Sequence, residues 1–304
     1  MSWGVDLRRT LVDCGLLLVV AVIAAMEFGA FPVVVEQDRA AELALIAVCA
    51  LTAPLHYGLM HETMHGNLFA NERWNRLAGR LLGITLGLPF ETMRFGHLAH
   101  HSNNRHKFDR PEYLEPGQSY FAVAPGFYFK TVIGNALIYA VLPLLIFVPM
   151  PVLERYAERA NQTDDAGQVR SAALRSFSNP ARRTTLRIDL AGIVLFAAVA
   201  VYLWGAQWWV FAACVFARWS VLSLLDNAPH YAMPLTSGLE ARNTYMPAVF
   251  RWLILNQNFH GEHHLTPKRH WTELPAAFRQ SALSHDGSWI GAVLRQFRGP
   301  VELS

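Results

Sequence analysis

The amino-acid sequence contains few charged residues for its length. Only 16% of its 304 residues are Asp, Glu, Lys or Arg, whereas roughly 25% is usual for a soluble domain. The formal net charge of +3 gives no reason to expect a nucleic-acid partner. No Pro-, Gly- or Ser-rich linker separates large soluble blocks. The composition therefore predicts a single domain over residues 1–304 that lies largely in lipid.

Cysteine is also scarce. The three cysteines, Cys14, Cys49 and Cys214, each lie inside an apolar run, which favours buried thiols over a disulfide framework. An iron–sulfur cluster needs thiolate ligands. The scarcity of cysteine therefore argues against a cluster of that kind.

The sequence contains several long apolar runs. They cover residues 11–35, 44–60, 132–152, 188–204 and 208–225. A helix needs about 20 mostly apolar residues to cross a bilayer, so several of these runs qualify. We predict one helical hairpin from 11–33 and 43–60, joined by an acidic loop at 36–42. We predict a second from 188–204 and 208–225, with its turn near Gly205.

The distribution of basic residues predicts the orientation of these hairpins. Lys and Arg concentrate in four stretches, at 8–9, 73–110, 155–187 and from 242 onward. The positive-inside rule places all four on the cytoplasmic side. A single crossing by residues 132–152 would move the third stretch to the opposite side. We therefore expect 132–152 to be re-entrant, interfacial or bent into a short hairpin at Pro143, since proline interrupts helical hydrogen bonding.

Histidine is the residue whose pattern carries chemistry. Thirteen are present, and eight of them fall into three short groups. The groups are His61 and His65; His97, His100 and His101; and His260, His263 and His264. On a helix, residues at positions i, i+3 and i+4 share one face, with Cβ atoms about 5–6 Å apart. Each group therefore presents its imidazoles from one face, close to the end of an apolar run.

The number of histidines predicts more than one metal ion. Zinc takes about four ligands, and eight neutral imidazoles are too many for one ion, so we expect two. Imidazole binds iron, copper, zinc and nickel, and iron is favoured because activation of O₂ needs a redox metal. His230 directly follows the last apolar run, where polar residues are commonly functional. It is a further candidate ligand.

These residues resemble the histidine boxes of the membrane fatty acid desaturase superfamily, which includes acyl desaturases, sphingolipid desaturases and carotenoid ketolases and hydroxylases. The family pattern is HxxxH or HxxxxH, then HxxHH, then a distant HxxHH or QxxHH, and the three groups match it in order. The resemblance covers about residues 41–270. Together with the apolar runs it implies an all-α membrane protein with about four transmembrane helices in two hairpins, a membrane-embedded or interfacial segment, and a cytoplasmic histidine-rich cap.

The resemblance also implies a reaction and its partners. The expected activity is O₂-dependent desaturation of a fatty acyl or related lipid chain at two histidine-bound irons. Electrons would come from a reduced carrier. Because the chain contains no HPGG signature of a cytochrome b5 domain, the expected donor is a separate protein such as a ferredoxin or rubredoxin with its reductase.

Residues near the boxes are expected to support the ligands. In the acyl-CoA desaturases an asparagine lies four residues before a further histidine ligand; here Asn227 lies three residues before His230, and Asp226 lies four before it. The resemblance implies a ninth ligand at His230, with either of these two as a nearby or water-mediated partner. Metal-bound imidazoles usually donate their other N–H to a carboxylate or carbonyl. The carboxylates predicted to take this role are those of Glu62, Asp109 and Glu262.

Two other functions fit part of the pattern. The first box, HETMHG, also resembles the carotenoid ketolase version, so a carotenoid ketolase or hydroxylase, or another lipid hydroxylase, is an alternative on the same scaffold. The same residues, His61-Glu62-x-x-His65, form the zinc metalloprotease motif, with the glutamate as general base. An intramembrane protease of that type would use one zinc and would leave the two HxxHH boxes without a role.

Overall fold

The computed structural model describes residues 7–34, 38–161, 165–236 and 241–303. Within these residues the chain is almost entirely helical, which confirms the predicted all-α class. The α-helices are α1 (Leu7–Phe28), α2 (Ala30–Val34), α3 (Arg39–His65), α4 (Glu72–Leu86), α5 (Phe90–Asn103), α6 (Tyr120–Phe129), α7 (Asn135–Val141), α8 (Met150–Asn161), α9 (Asp165–Ser178), α10 (Pro180–Trp204), α11 (Trp208–Asn227), α12 (Ala248–Arg251), α13 (His260–Leu265), α14 (Leu274–Gln280) and α15 (Trp289–Arg295). Two-residue strands, β1 (Tyr113–Leu114) and β2 (Val301–Glu302), pair in parallel.

Local sequence signals set the ends of the long helices. The Asp38 carboxylate accepts a hydrogen bond of 2.9 Å from the backbone N–H of Ala40 and so caps α3, satisfying a backbone donor that the first turn leaves free. Asn179 caps α10, with proline at the first helical position. Gly205, at φ 51°, ends α10 and turns the chain into α11, which confirms the predicted turn. Residues 36–37 of the predicted acidic loop lie outside the described residues, and its residues 39–42 form the first turn of α3 instead of a loop.

The long helices α1, α3, α10 and α11 form the two predicted hairpins. At one end they share an apolar cluster that includes Leu45, Trp204 and Val210, and the Trp204 indole donates to the Glu27 carbonyl at 3.0 Å. The last turns of α1 and α10 therefore lie beside the first turns of α3 and α11. The opposite ends of all four helices consequently face one side, and we call this the histidine side because α3 ends there at His65.

The outer surfaces of these helices are suited to lipid. Apolar side chains such as Leu18, Val194 and Leu195 are about two-thirds exposed, and only a bilayer or another apolar surface would cover so continuous a patch. Segments long and apolar enough to cross a membrane are Leu7–Phe28, Arg39–His65, Tyr120–Phe147 and Pro180–Asn227, the last of which contains both helices of the second hairpin.

The segment Tyr120–Phe147 follows a different course from the hairpins. It continues from α6 through a π-helical stretch and α7 into a 3-10 helix at Leu142–Phe147. The hairpin at Pro143, one of three arrangements expected for this region, does not form. Pro143 lies in the first turn of the 3-10 helix, where a missing N–H costs little, and the chain leaves the helix only at Val148.

Contacts along this segment keep it on the histidine side. Near its start, the Tyr128 hydroxyl donates to the Phe297 carbonyl at 3.1 Å. In its middle, the Ala136 N–H donates to the hydroxyl of Ser223 in the last turns of α11. Near its end, the Ile146 carbonyl accepts from Arg183 in the first turn of α10. This course is that of the predicted membrane-embedded or interfacial segment.

Two glycines of α4, the helix between the first two boxes, allow it to pack closely against the start of α5. A Cβ atom on Gly79 would lie 2.4 Å from the Phe90 ring, and one on Gly83 would lie 2.6 Å from the Leu88 carbonyl oxygen. The absence of these side chains lets α4 approach the beginning of α5. An apolar core of α3, α4 and α5 residues, including Leu59 and Met60, then fixes the two boxes relative to each other.

Candidate metal centre

Four separate parts of the chain bring histidines to one place. The last two turns of α3 carry His61 and His65, α5 carries the second box, α13 carries the third, and His230 follows α11. Among the described residues, the nine imidazoles form two groups in which the ligand atoms lie within 4.8 Å of one another. One group holds His61, His65, His97, His101 and His263, and the other holds His100, His230, His260 and His264.

Short distances between Nε2 atoms define the five-histidine group. His97 Nε2 lies 2.7 Å from His65 Nε2 and 3.1 Å from His101 Nε2. His263 Nε2 lies 3.2 Å from His101 Nε2. His61 completes the group, with its ring centroid 4.5 Å from that of His97. The ring nitrogens thus converge on one small volume.

The four-histidine group has the same construction. His230 Nε2 lies 3.1 Å from both His100 Nε2 and His260 Nε2, and His264 Nε2 lies 3.1 Å from His260 Nε2. The two groups adjoin, because the rings of His101 and His264 stack with their centroids 4.2 Å apart. The structure therefore contains two neighbouring sets of converging imidazole nitrogens.

The donor set fits bound cations. A neutral imidazole carries one N–H and one lone pair. His100 Nδ1 lies 2.8 Å from an Asp109 carboxylate oxygen, and His260 Nδ1 lies 3.1 Å from the Gln257 amide oxygen. If these two rings donate from Nδ1, both present Nε2 lone pairs to the same centre. Among the residues that the structure describes, none is a hydrogen-bond partner of the buried His61 Nε2. Converging lone pairs and an unpaired buried nitrogen are what a metal ion would satisfy.

Burial keeps most of these rings in the neutral form that metals need. Burial holds the pKa of His97, His260, His263 and His264 well below the ordinary value, with neighbouring histidines acting in the same direction. Burial lowers the pKa of His101 to about 3, with His100 adding to the shift. At His100 burial also disfavours the charged form, but the Asp109 carboxylate outweighs it, so this pKa is raised.

The three predicted supporting carboxylates lie in different surroundings. Asp109 contacts His100 directly. Glu62 accepts a hydrogen bond from the Trp271 N–H through Oε2, while its Oε1 lies 3.6 Å from His61 Nδ1. The Glu262 side chain accepts from the Thr266 hydroxyl and, among the described residues, bonds to no histidine ring nitrogen.

The side chains of Asp226 and Asn227 form hydrogen bonds with side chains other than that of His230. The Tyr57 hydroxyl donates to Asp226 at 3.1 Å, and the Asn227 amide donates to Gln296 at 2.9 Å. Sequence reasoning missed Gln257, whose amide nitrogen lies 3.1 Å from His61 Nδ1 and whose amide oxygen faces His260. Its position three residues before His260 was the one available signal.

The zinc metalloprotease motif is not a separate site in the structure. His61 and His65 share their group with histidines from both of the other boxes. Glu62 is fully buried and binds the backbone of Trp271. The geometry thus joins the motif to the other boxes instead of isolating it around a single ion.

A cavity adjoins both histidine groups. It measures about 630 Å³ including its mouth and is bordered by His61, His97 and His260. Much of the remaining wall is apolar and includes Leu225 near the end of α11 and Ile254. Apolar walls with a few polar groups are typical of small-molecule sites.

Comparison with known proteins agrees with the geometry. The family profile described as fatty acid desaturase matches residues 40–289, which include all nine histidines. A search of curated proteins finds no match. The profile covers most of the chain, and the resemblance predicted from the three boxes is confirmed. This protein therefore belongs to the fatty acid desaturase family and is an integral membrane oxidoreductase.

Proposed function

We propose that this protein uses O₂ to desaturate a fatty acyl or related lipid chain at a centre of two irons held by the nine histidines. The observation that carries the proposal is the convergence of nine imidazoles into two adjoining groups beside one largely apolar cavity. One five-histidine and one four-histidine group match two ions better than one. Membership of the fatty acid desaturase family supports the lipid substrate.

The proposed ligands fall into the two groups defined by the distances between ring nitrogens. His61, His65, His97, His101 and His263 would hold one iron, and His100, His230, His260 and His264 the other. When bound, the irons would supply the redox chemistry needed to remove hydrogen from an unactivated C–H bond.

The chain's own residues would hold the reacting parts in position. Asp109 and the Gln257 amide oxygen would fix ring orientation by accepting from Nδ1 of His100 and His260, a role that such partners commonly have around metal ligands. The apolar wall of the cavity would bind the lipid chain and exclude water. Because His61, His97 and His260 border the cavity, a lipid chain bound there would lie beside both metals.

The proposal also covers the membrane side of the centre, its electron donor and the domain organisation. We place the histidine side in the cytoplasm, because the basic stretches follow the positive-inside rule there. We assign electron delivery to a separate ferredoxin or rubredoxin with its reductase, and we treat residues 1–304 as one domain. A cytoplasmic centre would be directly accessible to such a soluble donor.

Metal analysis and lipid mass spectrometry test the function together. The protein is expressed with a matched electron donor, the host lipids are analysed, and the purified sample is assayed for iron. We expect about two irons per chain and a lipid product that has lost two hydrogens. His100→Ala, which removes one imidazole of the four-histidine group, should abolish that product and lower the iron content.

The control is His106→Ala, because this exposed histidine follows α5 but belongs to neither group. It should retain both iron and product. A product that gains one oxygen would replace desaturation by hydroxylation or ketolation on the same centre. An active sample that contains no iron, or contains a single zinc, would overturn the proposal.

A further inference from the structure

Arg242 is a buried cation held between two parts of the metal centre. Its backbone N–H donates to the Pro229 carbonyl at 2.9 Å, and its carbonyl accepts from the Gly261 N–H at 3.2 Å. It is therefore tied both to the residue before His230 and to the residue after His260. Its exposure is only 8%.

The charge of Arg242 is poorly compensated by the described protein. Its side chain donates to the Tyr231 carbonyl at 2.8 Å, and no described carboxylate forms an ion pair with it. Two other buried arginines have more partners. Arg105 has a carboxylate beside it, Glu112 at 2.6 Å, and Arg183 donates to the carbonyls of Ile146, Val148 and Phe177. A guanidinium has five N–H donors, so Arg242 has donors to spare.

An uncompensated buried charge is costly unless a partner arrives. Removing a charge from water costs several kcal/mol, which an opposite charge must offset. Burial lowers the pKa of Arg242, with Arg295 acting in the same direction and Asp286 opposing both, but a guanidinium remains charged at neutral pH. The missing partner is therefore an anion.

The position of Arg242 indicates which kind of molecule would carry that anion. Arg242 lines the same cavity as His61, His97 and His260. Apolar residues such as Leu225 and Ile254 form other parts of the wall. A molecule with a carboxylate at one end and an alkyl chain behind it would match both the cation and the apolar surface. The planar fork of a guanidinium binds a carboxylate especially well, often through two parallel hydrogen bonds.

We propose that Arg242 binds the carboxylate of an unesterified long-chain fatty acid and so determines the substrate class. This inference rests on the proposed function, because it assumes that the cavity beside the histidines holds the lipid. It goes further by selecting the free acid over esters, thioesters and carotenoids, none of which presents a carboxylate. Arg242 acts here as a specificity-determining residue.

Binding without turnover tests the proposal. Iron-loaded protein in nanodiscs is titrated with hexadecanoic acid and, separately, with methyl hexadecanoate, each displacing a bound fluorescent lipid. We expect the acid to bind about 10- to 100-fold more tightly than the ester, as suits a charged hydrogen bond in a buried site. Arg242→Gln should reduce this ratio to about twofold or less, while Arg242→Lys should retain part of it.

Arg183→Gln is the matched control, because Arg183 is equally buried but lies outside the cavity. It should lower stability and leave the acid-to-ester ratio unchanged. Equal binding of acid and ester by the natural protein, binding of neither, or an unchanged ratio in Arg242→Gln would overturn the proposal. None of these results uses the lipid product as its readout, so the proposed function is judged separately, by the product and the iron assay.

Discussion

At the scale of single residues, contacts at Nδ1 orient individual imidazoles toward the centre. Asp109 contacts His100, and one amide, that of Gln257, contacts rings of both groups, His61 at 3.1 Å and His260 at 3.1 Å. A ring whose Nδ1 is held by a neighbour turns its Nε2 inward, and the short contacts between rings join Nε2 atoms.

The Asp109 contact gives a prediction for metal retention. Asp109→Leu removes the acceptor of the His100 Nδ1 hydrogen bond, so the ring is free to rotate away from the four-histidine group. We expect the affinity for iron to fall about 10- to 100-fold. Competition with a chelator, followed by measurement of the iron that stays bound, provides the test.

Glu115→Gln is the control for this change. Glu115 lies on the same loop and pairs with Arg110 at 3.0 Å and with Lys107 at 3.5 Å, and these are its ion-pair partners. Its loss should leave iron binding unaffected. Unaltered iron retention in Asp109→Leu would show that the carboxylate does not orient the ring.

At the scale of elements, α1 is joined to the metal centre although all of it precedes the residues matched by the family profile. The Asp13 carboxylate in α1 accepts from His270 Nε2 at 2.9 Å and from the Trp271 indole at 3.0 Å. The Trp271 backbone N–H in turn donates to Glu62, which follows His61. Three hydrogen bonds thus connect the first spanning helix to the first box.

Asp13→Asn tests whether this connection stabilises the protein. An amide can accept from one of the two donors but presents its own N–H₂ to the other. We expect a loss of about 1–3 kcal/mol in the free energy of unfolding, the usual effect of one unsatisfied buried group. Thermal unfolding of purified protein in one detergent provides the measurement.

The neighbouring Cys14→Ala serves as the control, since Cys14 is exposed on α1. It should unfold at the same temperature as the natural protein. If Asp13→Asn did so as well, α1 would be held by its apolar contacts alone.

At the scale of the whole molecule, the feature to test is the path of the chain through the bilayer. The segment Tyr120–Phe147 is long and apolar enough to cross, yet it contacts the last turns of α11 and the first turn of α10. Those contacts leave both of its ends on the histidine side. The residues before and after it should then lie on the same side of the membrane.

Cysteine labelling in intact cells tests this path. In a background lacking Cys14, single cysteines are placed at Lys107 and Arg170, which are exposed on either side of the segment. Both should resist a membrane-impermeant thiol reagent until the cells are lysed. A cysteine at Ala206, in the turn between α10 and α11, should react without lysis. Labelling of positions 107 and 170 from opposite sides would mean that the segment crosses.

The sequence could predict what depends on local pattern. Apolar runs near the length of a bilayer crossing predicted the hairpins, and Gly205 predicted the turn between α10 and α11. The three boxes predicted the family. Such features depend on a few neighbouring residues, so a single sequence reveals them. The possible hairpin at Pro143 was wrong because a proline has different effects in the first turn of a helix and in its interior.

Tertiary structure decided how the histidines are divided. Each HxxHH box serves both groups: His97 and His101 join one group and His100 the other, while His260 and His264 join one and His263 the other. Residues at i, i+3 and i+4 lie on one face of a helix, so local spacing does not separate them, and the division depends on which helices pack around each box.

By itself the sequence determined the membrane-embedded helical class, the family and the residues able to bind metal, because these follow from composition and short spacing. The pairing of rings into groups, the bridge made by Gln257 and the exposure of Arg242 to the cavity beside them were decided only by the fold. Each depends on contacts between residues far apart in the chain, and no local pattern records which distant residues will meet.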